Sequence, residues 1–343
     1  MKKIKKIGFF TFSILLLMLL CSCGLINRND NNKRVIVTTQ YPQYDFVKKI
    51  VGSDKRLNDY YDVSLIVPPG ADSHTFDPRL TDLIKIKNAD LFIYTSDTLE
   101  TWVQKLEINN YTKVLDLSSD ERIELINVEE HDHEDEHHHH ADDYDPHYWI
   151  YPVYAEYMID EIRNKMLEIS PDLAKECKDL INNNADEYIS KLDIIDTAIK
   201  EVVNLSKNKT LYFASPFSFY YWAHYYDLEY VLTYATCSTE VEPPMTTIID
   251  VINSIKENEV KVIYIKELLN DDVAQLIAKE TGAKINLLHS CHNVSKIDFE
   301  NNKSYYDIMV ENVYSLAEGL GVESHIVSEL LNKEENDNAT NGI

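Results

Sequence analysis

Along the chain, short β-branched runs alternate with segments whose apolar positions recur every three or four residues. The runs 34–39, 63–67, 91–94 and 113–117 read as strands, with helical patterns at 44–51, 80–88 and 100–106 between them. A second set repeats the alternation, with strands at 210–213, 229–234, 260–265 and 284–288 and helices at 217–226, 244–257, 272–281 and 305–320. Short buried runs separated by helices imply parallel sheets covered on both faces. Between the two sets lie a helix at 153–169, closed by Ser170-Pro171, and then the longest periodic stretch. There Leu173, Cys177, Leu180, Ile181, Tyr188, Leu192, Ile195, Ile199 and Val202 form one stripe, with Ala185 bridging its longest gap. A helix of that length spans about 45 Å, the size of a domain. The fold expected is α/β, with two lobes, each a parallel sheet flanked by helices, joined by one long rigid helix. The lobes fall at 34–170 and 206–320 and the connecting helix at 171–205. A polar tail, 321–343, carries one apolar patch at 326–331 and is assigned no role.

The first residues change the picture of where this chain works. Residues 1–6 are basic and 7–20 apolar, a run too short for a settled membrane span, so 1–22 read as a secretory signal. Its ending, Leu20-Cys21-Ser22-Cys23, resembles the bacterial lipobox, which implies cleavage before Cys23 and a lipid anchor on that thiol. A plain N-terminal membrane anchor is the alternative. Residues 23–33 then read as a spacer. The formal charge is −25, and losing 1–22 removes four lysines and no acid, leaving about −29. So acidic a chain does not seek nucleic acid or anionic lipid through a basic patch. Export also permits disulfides. With Cys21 and Cys23 set aside, Cys177, Cys237 and Cys291 remain. Cys237 with Cys291 is the pairing to test, since both end strands in the same half, and free thiols are the other outcome.

Candidate chemistry concentrates in one place. Seven of the twelve histidines lie between 131 and 147, most of them in a run of histidines and acids at 131–140. Ten residues without an aliphatic side chain cannot bury anything, so the run reads as a mobile surface loop able to touch metal, or simply a solvated one. Within it, His133-Glu134-Asp135-Glu136-His137 matches the H-E-x-x-H pattern of zinc proteases. That motif needs a helix with an apolar face, and its surroundings here are all charged or His, so it is rejected. Asp145-Pro146-His147 is different: a turn-forming pair, then one histidine beside Tyr148 and Trp149. Ligands of parallel sheets sit beyond the carboxyl ends of strands, where His74 and His289 also fall.

Val67-Pro-Pro-Gly-Ala-Asp-Ser-His74-Thr-Phe-Asp-Pro78, Ala89-Asp-Leu-Phe-Ile-Tyr94, Asp145-Pro-His147-Tyr-Trp149 and Cys237-Ser-Thr-Glu-Val-Glu-Pro243 resemble, in order, the cluster A-I solute-binding lipoproteins of zinc and manganese ABC importers. The resemblance covers nearly all of 34–320. It implies two lobes on a rigid helix with the metal between them, and His74 and His147 as the first two ligands. The family's third ligand, a His or Glu, has no counterpart at Ala214-Ser215-Pro216-Phe217. Its fourth, usually acidic, is met by His289-Ser290-Cys291-His292, so His289 and His292 complete the expected set.

Glu240 and Glu242 could add to the set but read better as acids before a helix start at Pro243-Pro244. His224 reads as packing or surface. Phe76, Tyr148 and Trp149 are the expected apolar wall, and Asp72, Asp77 and Asp145 the carboxylates expected to orient the imidazoles. An imidazole-rich set favours Zn2+ over Mn2+, which prefers harder oxygen ligands. The implied protein is a monomeric, non-enzymatic extracytoplasmic receptor, lipid-anchored on the outer face of the bacterial membrane. It would pass Zn2+ to the membrane permease of an ABC importer. The rivals are an extracellular zinc-dependent hydrolase, which would need an open metal position and a base such as Glu240, a manganese receptor, and an adhesin or sensor with a structural metal.

Overall fold

The computed structural model describes residues 33–127, 144–234 and 242–341, with side chains placed to 332. The signal, Cys23, the spacer, the histidine run 131–140, Cys237 and Glu240 lie outside the described residues.

Two four-stranded sheets, all parallel, have the same order. In the first, β1 (Arg34–Thr38), β2 (Tyr61–Leu65), β3 (Leu91–Tyr94) and β4 (Lys113–Asp116) run β2-β1-β3-β4. In the second, β5 (Thr210–Phe213), β6 (Glu229–Leu232), β7 (Val262–Ile265) and β8 (Lys284–Leu287) run β6-β5-β7-β8. Parallel strands need crossovers, and helices supply most of them. In the first lobe these include α1 (Tyr41–Val51), α2 (Lys55–Tyr60) and α3 (Leu80–Lys87). Then come α4 (Pro152–Glu168), α5 (Lys175–Leu205), α6 (Tyr220–Tyr225), α7 (Met245–Glu257), α8 (Asp272–Thr281), α9 (Lys296–Glu300), α10 (Tyr305–Leu320) and α11 (Ser324–Asn341).

The 31-residue α5 is the expected strut. Its stripe Cys177, Ile181, Ala185, Tyr188, Leu192, Ile195, Ile199 and Val202 is buried throughout. It packs against α1, α4, α10 and α11. One continuous apolar core therefore runs through both lobes, while smaller clusters fill the far face of each sheet.

Several boundaries differ from the pattern reading. The helix expected at 100–106 is only a 3-10 turn, Val103–Lys105. Glu100 is the cause: its buried carboxylate accepts from the backbone N–H groups of Thr95 and Ser96 and from the Thr39 hydroxyl, so it ties down a loop rather than opening a helix. The aromatic helix expected at 217–226 shrinks to α6. The polar tail is helical, with Val327 and Leu331 in the main core. Among the described residues no helix is long and apolar enough to cross a membrane.

Candidate metal centre

Three loops meet, two of them leaving the carboxyl ends of β2 and β8. The first follows β2 and carries His74, whose amide donates to Asp72 Oδ1 at 3.0 Å. Gly70 sits at φ +84°, and its N–H reaches Val294 O across the cleft at 2.8 Å. The second is the Asp-Pro-His turn. Asp145 Oδ1 accepts the His147 amide at 2.9 Å and Oδ2 the ring Nδ1 at 2.8 Å, both buried. The third follows β8, where Cys291 takes the left-handed conformation, φ +61°, between His289 and His292.

Ligand atoms of His74, His147 and His292 all lie within 4.8 Å of one another. His74 Nε2 and His292 Nε2 are 2.9 Å apart, and the rings of His147 and His292 stand 4.4 Å apart, edge to face. His147 is fully buried and its Nε2 has no hydrogen-bond partner. A buried bare nitrogen aimed at two other imidazoles is unfavourable unless a cation joins them.

The tautomers follow from the partners. A carboxylate only accepts, so His147 Nδ1 carries the proton and Nε2 presents its lone pair. Glu267 accepts the Ser290 amide (2.7 Å) and the Ser290 hydroxyl (2.5 Å). The hydroxyl oxygen is then left to accept from His292 Nδ1, which bares His292 Nε2 as well. His74 Nε2 must donate to it, so His74 is the ring that changes tautomer when an ion arrives. Burial, reinforced by the neighbouring His147, depresses the His74 pKa to about 3 and puts His292 well below its ordinary value. Burial thus favours the neutral form of His74 and His292. Zn–N distances of about 2.0–2.1 Å require the 2.9 Å nitrogen pair to part by a few tenths of an ångström.

His289 does not join them. Its Nδ1 accepts the Cys291 amide at 3.0 Å, its ring lies beside Glu267, and its backbone is clamped at both ends by Asn312. Of the two histidines in this segment, His292 is the one brought to His74 and His147. Cys291 is a free, buried thiol, so the Cys237–Cys291 pairing is corrected. Its Sγ lies 3.7 Å from His289 O, inside the turn rather than at a surface.

Trp149 is the expected wall, 5.4 Å from His147 and 5.1 Å from His292, with its Nε1 donating to Ser290 O. Phe76 is not; it packs on the far face of the first sheet. Tyr148 points its hydroxyl at Thr95 O. Asp77, Glu242 and His224 are exposed. Of the three expected carboxylates only Asp145 orients a ring. The one that sequence reasoning missed is Glu267, and it had a signal, since Lys266-Glu267 directly follow β7, at the end of the sheet where ligands gather. Ser215, at the place of the absent family ligand, accepts the Lys266 amide at 2.9 Å.

Fold and site together define a two-lobed α/β binding protein with a cleft of convergent imidazoles. Residues 36–319 match the ZnuA family, described as zinc-uptake complex component A, periplasmic, and the chain belongs to that family. It is 32% identical to the high-affinity zinc uptake system protein ZnuA of Bacillus subtilis over 90% of this chain and 95% of that one. It is 30% identical to the zinc-binding lipoprotein AdcA of Streptococcus pneumoniae over 88% of this chain but only 60% of that longer protein. The crystal structure of the Zn(II)-bound ZnuA-like domain of AdcA aligns with a TM-score of 0.68 at 27% identity, covering 84% of this chain and 99% of that one. The family is one of uptake components, which leaves no place for the hydrolase reading.

Proposed function

We propose that this chain is an extracytoplasmic receptor that captures Zn2+ between its lobes through His74, His147 and His292 and presents it to the permease of an ABC importer. The observation that carries this is the buried, unpartnered His147 Nε2 facing two further imidazoles. Three nitrogen donors favour zinc over manganese. The names of the relatives, which are zinc uptake and zinc-binding proteins, agree with that choice. Cys23 as lipid anchor, a place on the outer membrane face and a monomeric state complete the reading. The run 131–140 gathers zinc loosely and passes it inward.

Calorimetric titration tests this. The mature chain binds one zinc tightly and further zinc weakly, and deleting 131–140 leaves the tight site alone. His147→Ala or His292→Ala weakens that site at least a hundredfold, while His289→Ala keeps it within a fewfold. Equal losses at 289 and 292, or manganese bound more tightly than zinc, would reject the assignment.

A further inference from the structure

The resemblance sets His289 in the place of the family's acidic ligand, yet it is His292 that meets His74 and His147. Some contact must turn the chain at 289. The buried face of α10 supplies one. Its positions Ile308, Met309, Val313, Leu316 and Ala317 are apolar and no more than 1% exposed. Asn312 interrupts that stripe and is itself only 1% exposed. A buried amide is unfavourable there unless both its ends are bonded. Oδ1 accepts the His289 N–H at 2.8 Å and Nδ2 donates to His289 O at 2.8 Å, with Met309 Sδ a weaker neighbour at 3.7 Å.

One side chain therefore holds both backbone polar groups of a single residue. The peptide planes on either side of His289 are fixed, and its ring stays beside Glu267 with Nδ1 accepting the Cys291 amide. From there the chain runs into the left-handed Cys291 and on to His292. An amide offers a donor and an acceptor at this spacing, whereas a carboxylate of the same shape only accepts. Resting on the receptor reading, we propose that Asn312 is a positioning residue that selects the third zinc ligand. By holding His289 back, it delivers His292 to the metal. Asn312 acts through the backbone of residue 289 and touches no ion itself.

The test is zinc affinity of the mature chain, read by competition with a chromophoric chelator. Asn312→Ala weakens zinc by about 10- to 100-fold. A loosened fold would also lower affinity, so the decisive reading is coupling between positions. In the Asn312→Ala background a further His292→Ala costs only a fewfold, because that ring is no longer delivered. His147→Ala costs as much there as in the parent. Asn312→Asp, equal in size but without the donor, behaves like Asn312→Ala and carries the same comparison if the alanine variant does not fold. Affinity within a fewfold of the parent in either variant, or an undiminished His292→Ala penalty in both backgrounds, would overturn the proposal and leave the receptor standing. Failure of both variants to fold would also overturn it, making Asn312 a residue of the core alone. A parent that binds no zinc tightly, or keeps its affinity in His147→Ala, would overturn the receptor reading and this proposal with it.

Discussion

Glu267 never touches the three convergent ring nitrogens, yet it decides which nitrogen of His292 is bare. A carboxylate can accept from both the amide and the hydroxyl of Ser290; an amide side chain offers one acceptor and one donor, so the proton order along the chain is upset. Glu267→Gln is therefore expected to weaken zinc binding by about 10- to 100-fold. Competition against a chromophoric chelator reads this directly, and unchanged affinity would show that Ser290 alone orients the ring. His74 and His147 were legible in sequence because each sits in a motif with turn-forming residues. The choice between His289 and His292 was not, since a left-handed residue at Cys291 reverses the chain between them. Nothing in the letters His-Ser-Cys-His announces that conformation.

Between elements, two contacts carry clear expectations. Gly319 of α10 lies against Tyr264 of β7 so closely that an added Cβ would fall 1.7 Å from the phenol oxygen. Gly319→Ala should destabilise by about 1–3 kcal/mol despite its better helix propensity, as overpacking does, measured by urea unfolding. A gain in stability would mean that Tyr264 swings aside freely. At the α4–α5 seam, burial and then the nearby Asp193 and Asp196 raise the Glu156 pKa to about 8, with Lys200 opposing. The folded state thus keeps a proton that the unfolded chain gives up near the ordinary carboxylate value. Stability is full at acid pH and is lost as pH rises through about 8. Glu156→Gln should match the parent near pH 5 and melt higher at pH 9, by calorimetry at both values. Parallel melting curves would place that proton elsewhere. The stripe on α5 was readable because its spacing is dictated by the helix itself. The 3-10 turn at Val103–Lys105 was not, because its cause is a carboxylate engaging Thr39, a long way back in sequence.

Over the whole molecule, the alternation of strands and helices specified two parallel sheets, and the order β2-β1-β3-β4 recurs as β6-β5-β7-β8. Hidden from the pattern was how thoroughly the lobes are joined. Tyr305 and Trp149 bond backbone carbonyls across them, and Asp45 of α1 accepts from Tyr188 of α5 and from the Tyr305 amide. Since His74 and His147 come from one lobe and His292 from the other, zinc held by all three as proposed would add a further tie. At a hundredfold excess over its dissociation constant it should stabilise the fold by about 2.7 kcal/mol. Differential calorimetry with zinc and with chelator should show a rise of several degrees, and identical melting would mean the ion is not held by both lobes. The cross-lobe framework also constrains how cargo leaves. A spine shared by both halves does not let them swing apart like a jaw. The loop bearing His74, by contrast, is fastened to the opposite side by Gly70 N–H to Val294 O and by Asn293 Nδ2 to the carbonyls of Pro68 and Ala71. Freeing that loop would mean breaking these three hydrogen bonds, about 0.5–1.5 kcal/mol each, besides the His74–His292 contact, and a docking transporter could offset that cost by competing for the same backbone.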